Sequence, residues 1–328
     1  MKREVLIVGC GLIGTKRALA LKKLHNLVGV VDINETAVRK LADLAKVPAY
    51  TDFQSAIKIL PMGSIVIICT PNNFLVNIAK TAIDRGCHVL IEKPGGTNHQ
   101  ELTELKNHIN NANVKIAVGY NHRFHPAAEK LKNYVSSGEF GDVQLIRARY
   151  GHGGRENYET EWRVNKNKSG GGELIDQGSH LLDLLFFLGF SPKIDFVNLP
   201  TLYWDIEVED NAFIFGELGP KSKFSLHVSW TEWKNLFSFE IFFKTAKVEW
   251  LGLGGSYGPE TIIVSHMKKG LGIPEISAFK FPENDNSWQA EIIDFEKQIT
   301  GKEYVGTKLD DALRILQLID KCYSNDHL

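Results

Sequence analysis

The chain has no stretch approaching the roughly 20 consecutive apolar residues that crossing a bilayer requires. Its N-terminal apolar run, residues 5–8, stops at Gly9, and no small-residue cleavage pattern follows, so the run does not read as a secretory signal. Cysteine is scarce: Cys10, Cys69, Cys87 and Cys322 are scattered without C-x-x-C spacing, which argues against a zinc or disulfide framework. They read as small, partly buried hydrophobic residues in a reducing compartment. Neither sign of charge dominates, with 38 Lys and Arg against 39 Asp and Glu and a formal net charge of -1. That balance gives no electrostatic reason to expect nucleic acid or an anionic membrane as a partner. Internal repeats and low-complexity linkers are also missing. A cytoplasmic globular protein is therefore expected.

At 328 residues the chain exceeds what one compact core usually supports, so two domains are expected. In the first third, Val- and Ile-rich runs at residues 4–8, 27–31, 65–69, 88–91 and 115–118 read as strands. Between them, residues 13–24, 35–45, 74–85 and 99–110 carry apolar side chains at helical spacing. Continuous apolar strands alternating with helices imply a doubly wound α/β domain, its parallel sheet covered on both faces. The pattern changes after Gly119. Helices are expected over 126–136 and 175–188, mostly strands over 193–264, and two closing helices over 287–299 and 309–323. Strands followed by segregated helices indicate an α+β second domain around a large, mostly antiparallel open sheet. The expected division is residues 1–121 and 122–328.

Gly9, Gly11 and Gly14 form G-x-G-x-x-G directly after an expected strand and at the start of an expected helix. The first glycine permits a tight turn, the second lets the backbone approach a pyrophosphate, and the third lets helix and strand pack closely. The helix N-terminus, with Leu12 and Ile13 in its first turn, then offers free N–H groups and partial positive charge to the phosphates. A second strand ends at Asp32, eighteen residues beyond Gly14. A carboxylate there accepts hydrogen bonds from adenosine ribose hydroxyls and repels a 2′-phosphate, which favours NAD over NADP. Thr70-Pro71-Asn72 closes the third main strand, where ligands of doubly wound sheets bind. A proline turn before a helix would look the same.

Two segments could carry chemistry. Glu92-Lys93-Pro94 ends another buried strand, and Lys93 there could donate a hydrogen bond to a substrate hydroxyl and stabilise a developing alkoxide. Gly170-Gly171-Gly172 reads as a flexible loop, followed by Asp176 and His180, four apart and so on one helix face. A neutral histidine facing a nicotinamide can take the hydroxyl proton as hydride leaves carbon. No second His/carboxylate pair stands at ligand spacing, so no metal is expected. A capping aspartate beside a core histidine is the structural alternative.

The Gly9/Gly11/Gly14 loop, Thr70-Pro71-Asn72, Glu92-Lys93-Pro94, the segment Gly119-Tyr120-Asn121-His122-Arg123-Phe124 and the block Trp162-Arg163, Gly170-Gly171-Gly172, Asp176, His180 occur in this order. Together they resemble the glucose-fructose oxidoreductase / inositol dehydrogenase / rhizopine catabolism (Gfo/Idh/MocA) family, from Val5 to about Leu188. The resemblance implies a Rossmann domain and a second domain whose open sheet mediates oligomer contacts, as a dimer or tetramer. It implies that Lys93, preceding Pro94 at what is often a cis peptide, and Asp176 with His180 are catalytic. It also places Glu92, Lys93 and Asn121 among the cofactor contacts. Tyr120, Arg123, Arg149, Trp162 and Arg163 join Lys93, Asp176 and His180 as expected substrate contacts.

The activity implied is hydride transfer between a sugar, cyclic polyol or sugar-nucleotide hydroxyl and NAD. The alternative is a regulatory protein of the same fold that senses NAD or a sugar. Arg147, Arg149, Arg155, Arg163, Lys166 and Lys168 concentrate positive charge in one stretch, which would suit an anionic sugar. Glu156, Glu159 and Glu161 nearly balance it, as a solvated loop would.

Overall fold

The structure, a computed structural model, describes residues 2–21, 24–109 and 113–324. Residues 22–23 of the expected helix 13–24, and residue 110 of the expected helix 99–110, lie outside these. The first 121 residues alternate strands β1 (Glu4–Val8), β2 (Asn26–Val31), β3 (Ala49–Tyr50), β4 (Ile65–Ile68), β5 (His88–Glu92) and β6 (Ile116–Gly119) with helices α1 (Leu12–Ala20), α2 (Glu35–Ala45), α3 (Phe53–Ala56), α4 (Asn72–Asp84) and α5 (His99–His108). The strands run parallel in the order β6-β5-β4-β1-β2-β3. Every residue of β4, β5 and β6 is buried, as a parallel sheet covered on both faces requires. Strand order reverses between β1 and β4, so their carboxyl ends, at Gly9 and Cys69, flank the crevice where such sheets bind ligands. Asn34 caps α2, accepting the Ala37 N–H at 3.0 Å, and Asn98 caps α5 through Glu101 at 3.1 Å.

The next segment carries α6 (Pro126–Ser137), β7 (Val143–Gly151), α7 (Lys166–Ser169), α8 (Ser179–Phe187) and strands β8 (Lys193–Asn198), β9 (Asn211–Gly219), β10 (Ser222–Ser229), β11 (Leu236–Phe243), β12 (Ala246–Leu251), β13 (Thr261–His266) and β14 (Glu275–Lys280). Among the described residues they form an eight-stranded sheet in the order β14-β13-β12-β11-β7-β10-β9-β8, antiparallel except for β7 against β10. Strand β7, central in this sheet, was not expected from the sequence. Its inner residues Ile146, Ala148 and Tyr150 are buried, while Arg147 and Arg149 alternate on the outer face and read as part of a basic loop. Glu240 lies directly opposite Arg147 on β11 and binds its guanidinium, with Nε to Oε2 at 2.5 Å. Edge strand β14 is exposed at five of its six positions, which erased the alternation that would have announced it.

The chain closes with α9 (Ser287–Ile299), β15 (Thr307–Lys308) and α10 (Leu309–Ser324). Two compact units result: Met1–Asn121 with Asn286–Arg314, and His122–Asp285 with Ile315–Leu328. The expected second domain, 122–328, therefore needs correction over residues 286–314. Ile292 and Phe295 of α9 share a core with Val5, Ile7, Ile65 and Leu90, and β15 pairs antiparallel with β6. Among the described residues, no helix is long and apolar enough to cross a membrane.

A buried charge cluster ties α9 to the sheet. Arg17 of α1 is fully buried, its Nε donating to Glu92 Oε1 at 2.6 Å and its Nη1 to Glu291 Oε2 at 2.5 Å. Its guanidinium also lies 4.6 Å from the centre of the Trp288 ring. Removing one partner from a buried ionic group strands the others without water. Arg17→Met should therefore cost about 3–5 kcal/mol of stability, read as a fall in the urea midpoint at constant m. Adding Glu92→Gln and Glu291→Gln should recover most of that loss; a triple variant less stable than Arg17→Met would contradict this account.

Candidate active site

Each unit presents one group of the expected residues. In the first, Gly9 adopts φ +96°, and a Cβ there would fall 2.5 Å from the carbonyl of Cys69. A Cβ on Gly14 would fall 1.9 Å from the Gly9 oxygen. The protein itself demands both glycines. Gly11 differs: a Cβ there would meet no protein atom within 4 Å, so the space beside it is open to an outside group. Gly11 is also the N-cap of α1, which no side chain caps, and the first intrahelical bond is Thr15 N–H to the Gly11 carbonyl at 3.0 Å. The N–H groups of Leu12, Ile13 and Gly14 thus lie in the first turn, where a helix leaves donors for an anion.

Asp32 stands beside this loop. Its Oδ2 accepts the Cys10 N–H at 2.7 Å and its Oδ1 the Asn34 N–H at 2.9 Å, which fixes the carboxylate while each oxygen keeps a lone pair. Neighbouring Ile33 is 89% exposed and offers no cation for a phosphate. Burial, reinforced by Asp32, pushes the Cys10 thiol up to about 12, so it is inert. Across the switch point the Cys69 N–H reaches the Val8 carbonyl at 2.6 Å. That contact brings the half-buried Thr70 and Pro71, and the start of α4 at Asn72, alongside the glycine loop. The open space at Gly11, the donors of α1 and the carboxylate of Asp32 together fit a dinucleotide.

Glu92, Tyr120 and Asn121 are placed differently from expectation. Arg17 holds the Glu92 carboxylate inside the core, Tyr120 is fully buried, and the Asn121 amide donates to Ser287 Oγ at 2.8 Å. Glu92 and Asn121 thus find partners within the unit. Lys93 follows β5, half-buried, with a cis peptide to Pro94.

The second unit holds Asp176 and His180. Asp176 sits in a π-helical turn, Leu174–Gly178, that runs into α8, where His180 lies in the first turn. Such turns are uncommon and recur at functional sites. The His180 ring stacks on His122 with centroids 3.9 Å apart, and His122 packs against Tyr150 at 5.3 Å. Tyr150 hydrogen-bonds Tyr257, which accepts from Gln177 Nε2 at 3.2 Å. Burial, with Tyr257 and Asp176 adding to it, pushes the Tyr150 phenol well above its usual range, so it stays a neutral donor. Asp176 is the half-buried position in a run of buried residues, and Arg163 Nε lies 3.4 Å from its Oδ2. The Arg163 guanidinium also stacks on Trp162 at 4.6 Å. Asp176, Arg163 and Trp162 therefore form one group beside the His180 cluster.

Two expected substrate contacts lie elsewhere. Arg123 is buried in a bidentate pair with Asp183, Nε to Oδ2 at 2.9 Å and Nη2 to Oδ1 at 2.6 Å, and this commits its fork to the fold. Arg149 projects from the outer face of β7, opposite to Tyr150. The triple-glycine loop is also not the flexible element expected, because Gly171 and Gly172 are buried beneath Tyr323 and Glu209. His122, Tyr150 and Tyr257 were missed. His122 lay in plain view in the Tyr120–Phe124 motif, Tyr150 is signalled by the alternation along β7, and the glycine-rich turn around Tyr257 carries no such signal.

Two family models match the chain: an oxidoreductase family model with an NAD-binding Rossmann fold over residues 3–120, and the GFO/IDH/MocA C-terminal domain over 128–249. The chain is 29% identical over 223 residues to D-glucoside 3-dehydrogenase of Escherichia coli (strain K12), a match covering 66% of this chain and 62% of that protein. It is 27% identical over 231 residues to glucose-6-phosphate 3-dehydrogenase of Bacillus subtilis (strain 168), covering 67% and 65%. The match thus spans less than two thirds of the length of either relative. Levoglucosan dehydrogenase, solved in complex with NADH, superposes with a TM-score of 0.86 at 18% identity, over 99% of this chain and 97% of that one, and shows the same fold. By its two matched domains and its fold, the chain belongs to the Gfo/Idh/MocA oxidoreductase family, with an NAD-binding Rossmann unit first.

Proposed function

We propose that this protein is an NAD-dependent dehydrogenase of a hydroxyl on a sugar, cyclic polyol or sugar nucleotide. The observation that carries this reading is the buried His180–His122–Tyr150 cluster beside Asp176, in a chain whose other unit is shaped for a dinucleotide. NAD, held by the glycine loop and Asp32, would supply the hydride acceptor for this oxidation. His180 takes the substrate hydroxyl proton and Asp176 fixes a neighbouring hydroxyl, while Lys93 is the hydrogen-bond donor assigned to stabilising the alkoxide. The relatives' names, a glucoside and a glucose 6-phosphate dehydrogenase, support a sugar.

Three arginines of the basic stretch already have acidic partners. Arg147 is bound by Glu240 and Arg155 by Glu161, while Arg163 is shared between Glu161 and Asp176 at 3.4 Å each. Arg149 lies on the outer sheet face, and Lys166 and Lys168 are the exposed cations at the end of the stretch.

NADH formation should appear with members of a panel of free sugars, glycosides, inositols, uronic acids and sugar nucleotides. His180→Ala should lower kcat by about 10²–10⁴-fold while leaving NAD affinity unchanged, and Lys93→Met should lower kcat by a similar factor. A Lys93→Met enzyme keeping more than about a tenth of kcat would sink the assignment. Silence across the whole panel, with NAD still bound, would favour a sensor.

Asp32 sets the cofactor preference in this reading. Losing hydrogen bonds to a charged acceptor costs about 1.5–3 kcal/mol, so Asp32→Ser should lower kcat/KM for NAD by roughly 10- to 100-fold and narrow the gap to NADP.

We further propose a cytoplasmic homo-oligomer. Cys10, Cys69, Cys87 and Cys322 form no disulfide among the described residues, which suits a reducing compartment. Phe196 and Phe215 are 45% and 46% exposed on neighbouring strands β8 and β9, their rings 6.0 Å apart, an apolar site suited to a symmetric contact. Light scattering should return a dimer or tetramer, and Phe215→Glu should shift it toward monomer; a monomeric wild type at micromolar concentration would refute the contact.

A further inference from the structure

The segment bearing Asp176 and His180 begins without a cap of its own, since no side chain near Glu173 receives its first N–H groups. Those donors go to one residue far along the chain. The N–H groups of Gly172 and Leu174 donate to Glu209 Oε2 and Oε1, both at 3.0 Å, and the Glu173 N–H donates to the Glu209 backbone carbonyl at 3.0 Å. From α10, the Tyr323 hydroxyl donates to Glu209 Oε1 at 2.8 Å. Glu209 is 7% exposed.

The sequence is shaped around this contact. A Cβ on Gly171 would fall 1.9 Å from Tyr323 Oη, and one on Gly172 would fall 2.0 Å from the Glu209 carbonyl oxygen. Only after these residues does the internal ladder start, with Asp176 N–H to the Gly172 carbonyl at 3.1 Å. A carboxylate at a helix N-terminus meets both the free donors and the positive end of the dipole. Burial pushes the Glu209 carboxyl up to about 7, against the pull of Tyr323 and the two backbone donors.

We infer that Glu209 is a positioning residue for the catalytic pair: from outside the helix it caps the segment that carries Asp176 and His180 and so fixes their orientation. This rests on the assignment of Asp176 and His180 to catalysis. Asp176 lies within the π turn and His180 follows it in the first turn of α8, so the anchor at Gly172–Leu174 stands directly upstream of both. Tyr323 acts through Glu209 by holding one carboxylate oxygen in place.

The test is Glu209→Gln, which keeps the shape but turns an NH2 toward one of the donors. Kinetics on the best sugar of the panel should show kcat reduced by about 10²-fold, the cost of misplacing reacting groups by roughly an ångström. KM for NAD should stay within about twofold, since the glycine loop and Asp32 are untouched. Tyr323→Phe should lower kcat several-fold, and the double variant should be no worse than Glu209→Gln, because the two act as one unit. Independently of turnover, the imidazole NMR signals of His180, assigned against His180→Ala, should shift in both single variants.

A folded Glu209→Gln enzyme with wild-type kcat and an unmoved His180 signal overturns the inference. Should Glu209→Gln not fold, Tyr323→Phe decides by the same two readings. A wild type silent on the whole panel is instead a failure of the catalytic assignment, and the His180 signal still tests whether Glu209 positions that helix.

Discussion

The first unit is organised around one guanidinium that water cannot reach. Arg17 stands one turn into the helix that follows the glycine loop, and its two carboxylate partners come from the end of β5 and from α9. A buried cation needs its counter-charges at fixed places, since the desolvation cost returns in full if either drifts. Three separate stretches of chain are thereby registered against one another. Glu92 immediately precedes Lys93, so the backbone that presents the lysine is held by the same group that anchors the helix of the dinucleotide loop. The segment 286–314 is part of the first unit for this reason as much as for its share of the apolar core.

The second unit meets a comparable problem with opposite charge. There the groups needing partners are backbone donors at the start of a helical segment, and a single buried carboxylate supplies them. Asp210, the next residue, does the same for the turn before it, accepting the N–H groups of Leu202, Tyr203 and Trp204 at 2.8, 2.8 and 3.0 Å. Adjacent acids just before β9 thus order two loops. Each is costly to bury alone and favourable once its oxygens are filled.

Local pattern carried much of this into the sequence. The strand over residues 4–8 and the helix over 35–45 end where expected, because Gly9 breaks one and the Asn34 cap starts the other. The glycine loop was legible from its place between strand and helix, whereas Asp176 and His180, expected on one helix face, fall in a π turn and in the α-helix after it. What was not legible is partnership at long range. Arg17 follows Lys16 in a helix with nothing local to mark it, since its partners lie 75 and 274 residues away. Glu209 lies 35 to 37 residues from the donors it receives. Strand β7 was hidden for a different reason. Its outward arginines were weighed as a charge cluster, although their alternation with Ile146, Ala148 and Tyr150 was the stronger signal.

Glycine shows best why composition alone misleads here. Gly9, Gly14, Gly171 and Gly172 look in sequence like points of freedom, but in each a side chain would strike protein atoms within 2.5 Å. They are the most constrained places in their loops, small because something else already fills the volume: a carbonyl in the first loop, Tyr323 and Glu209 in the other. Gly11 belongs to the opposite kind, since nothing of the protein occupies the place of its missing side chain. A glycine hemmed in by protein reports packing, whereas one facing open space between a helix N-terminus and a tethered carboxylate points to a partner from outside. On that ground Gly11, more than the spacing of the three glycines, marks where the dinucleotide would approach the backbone.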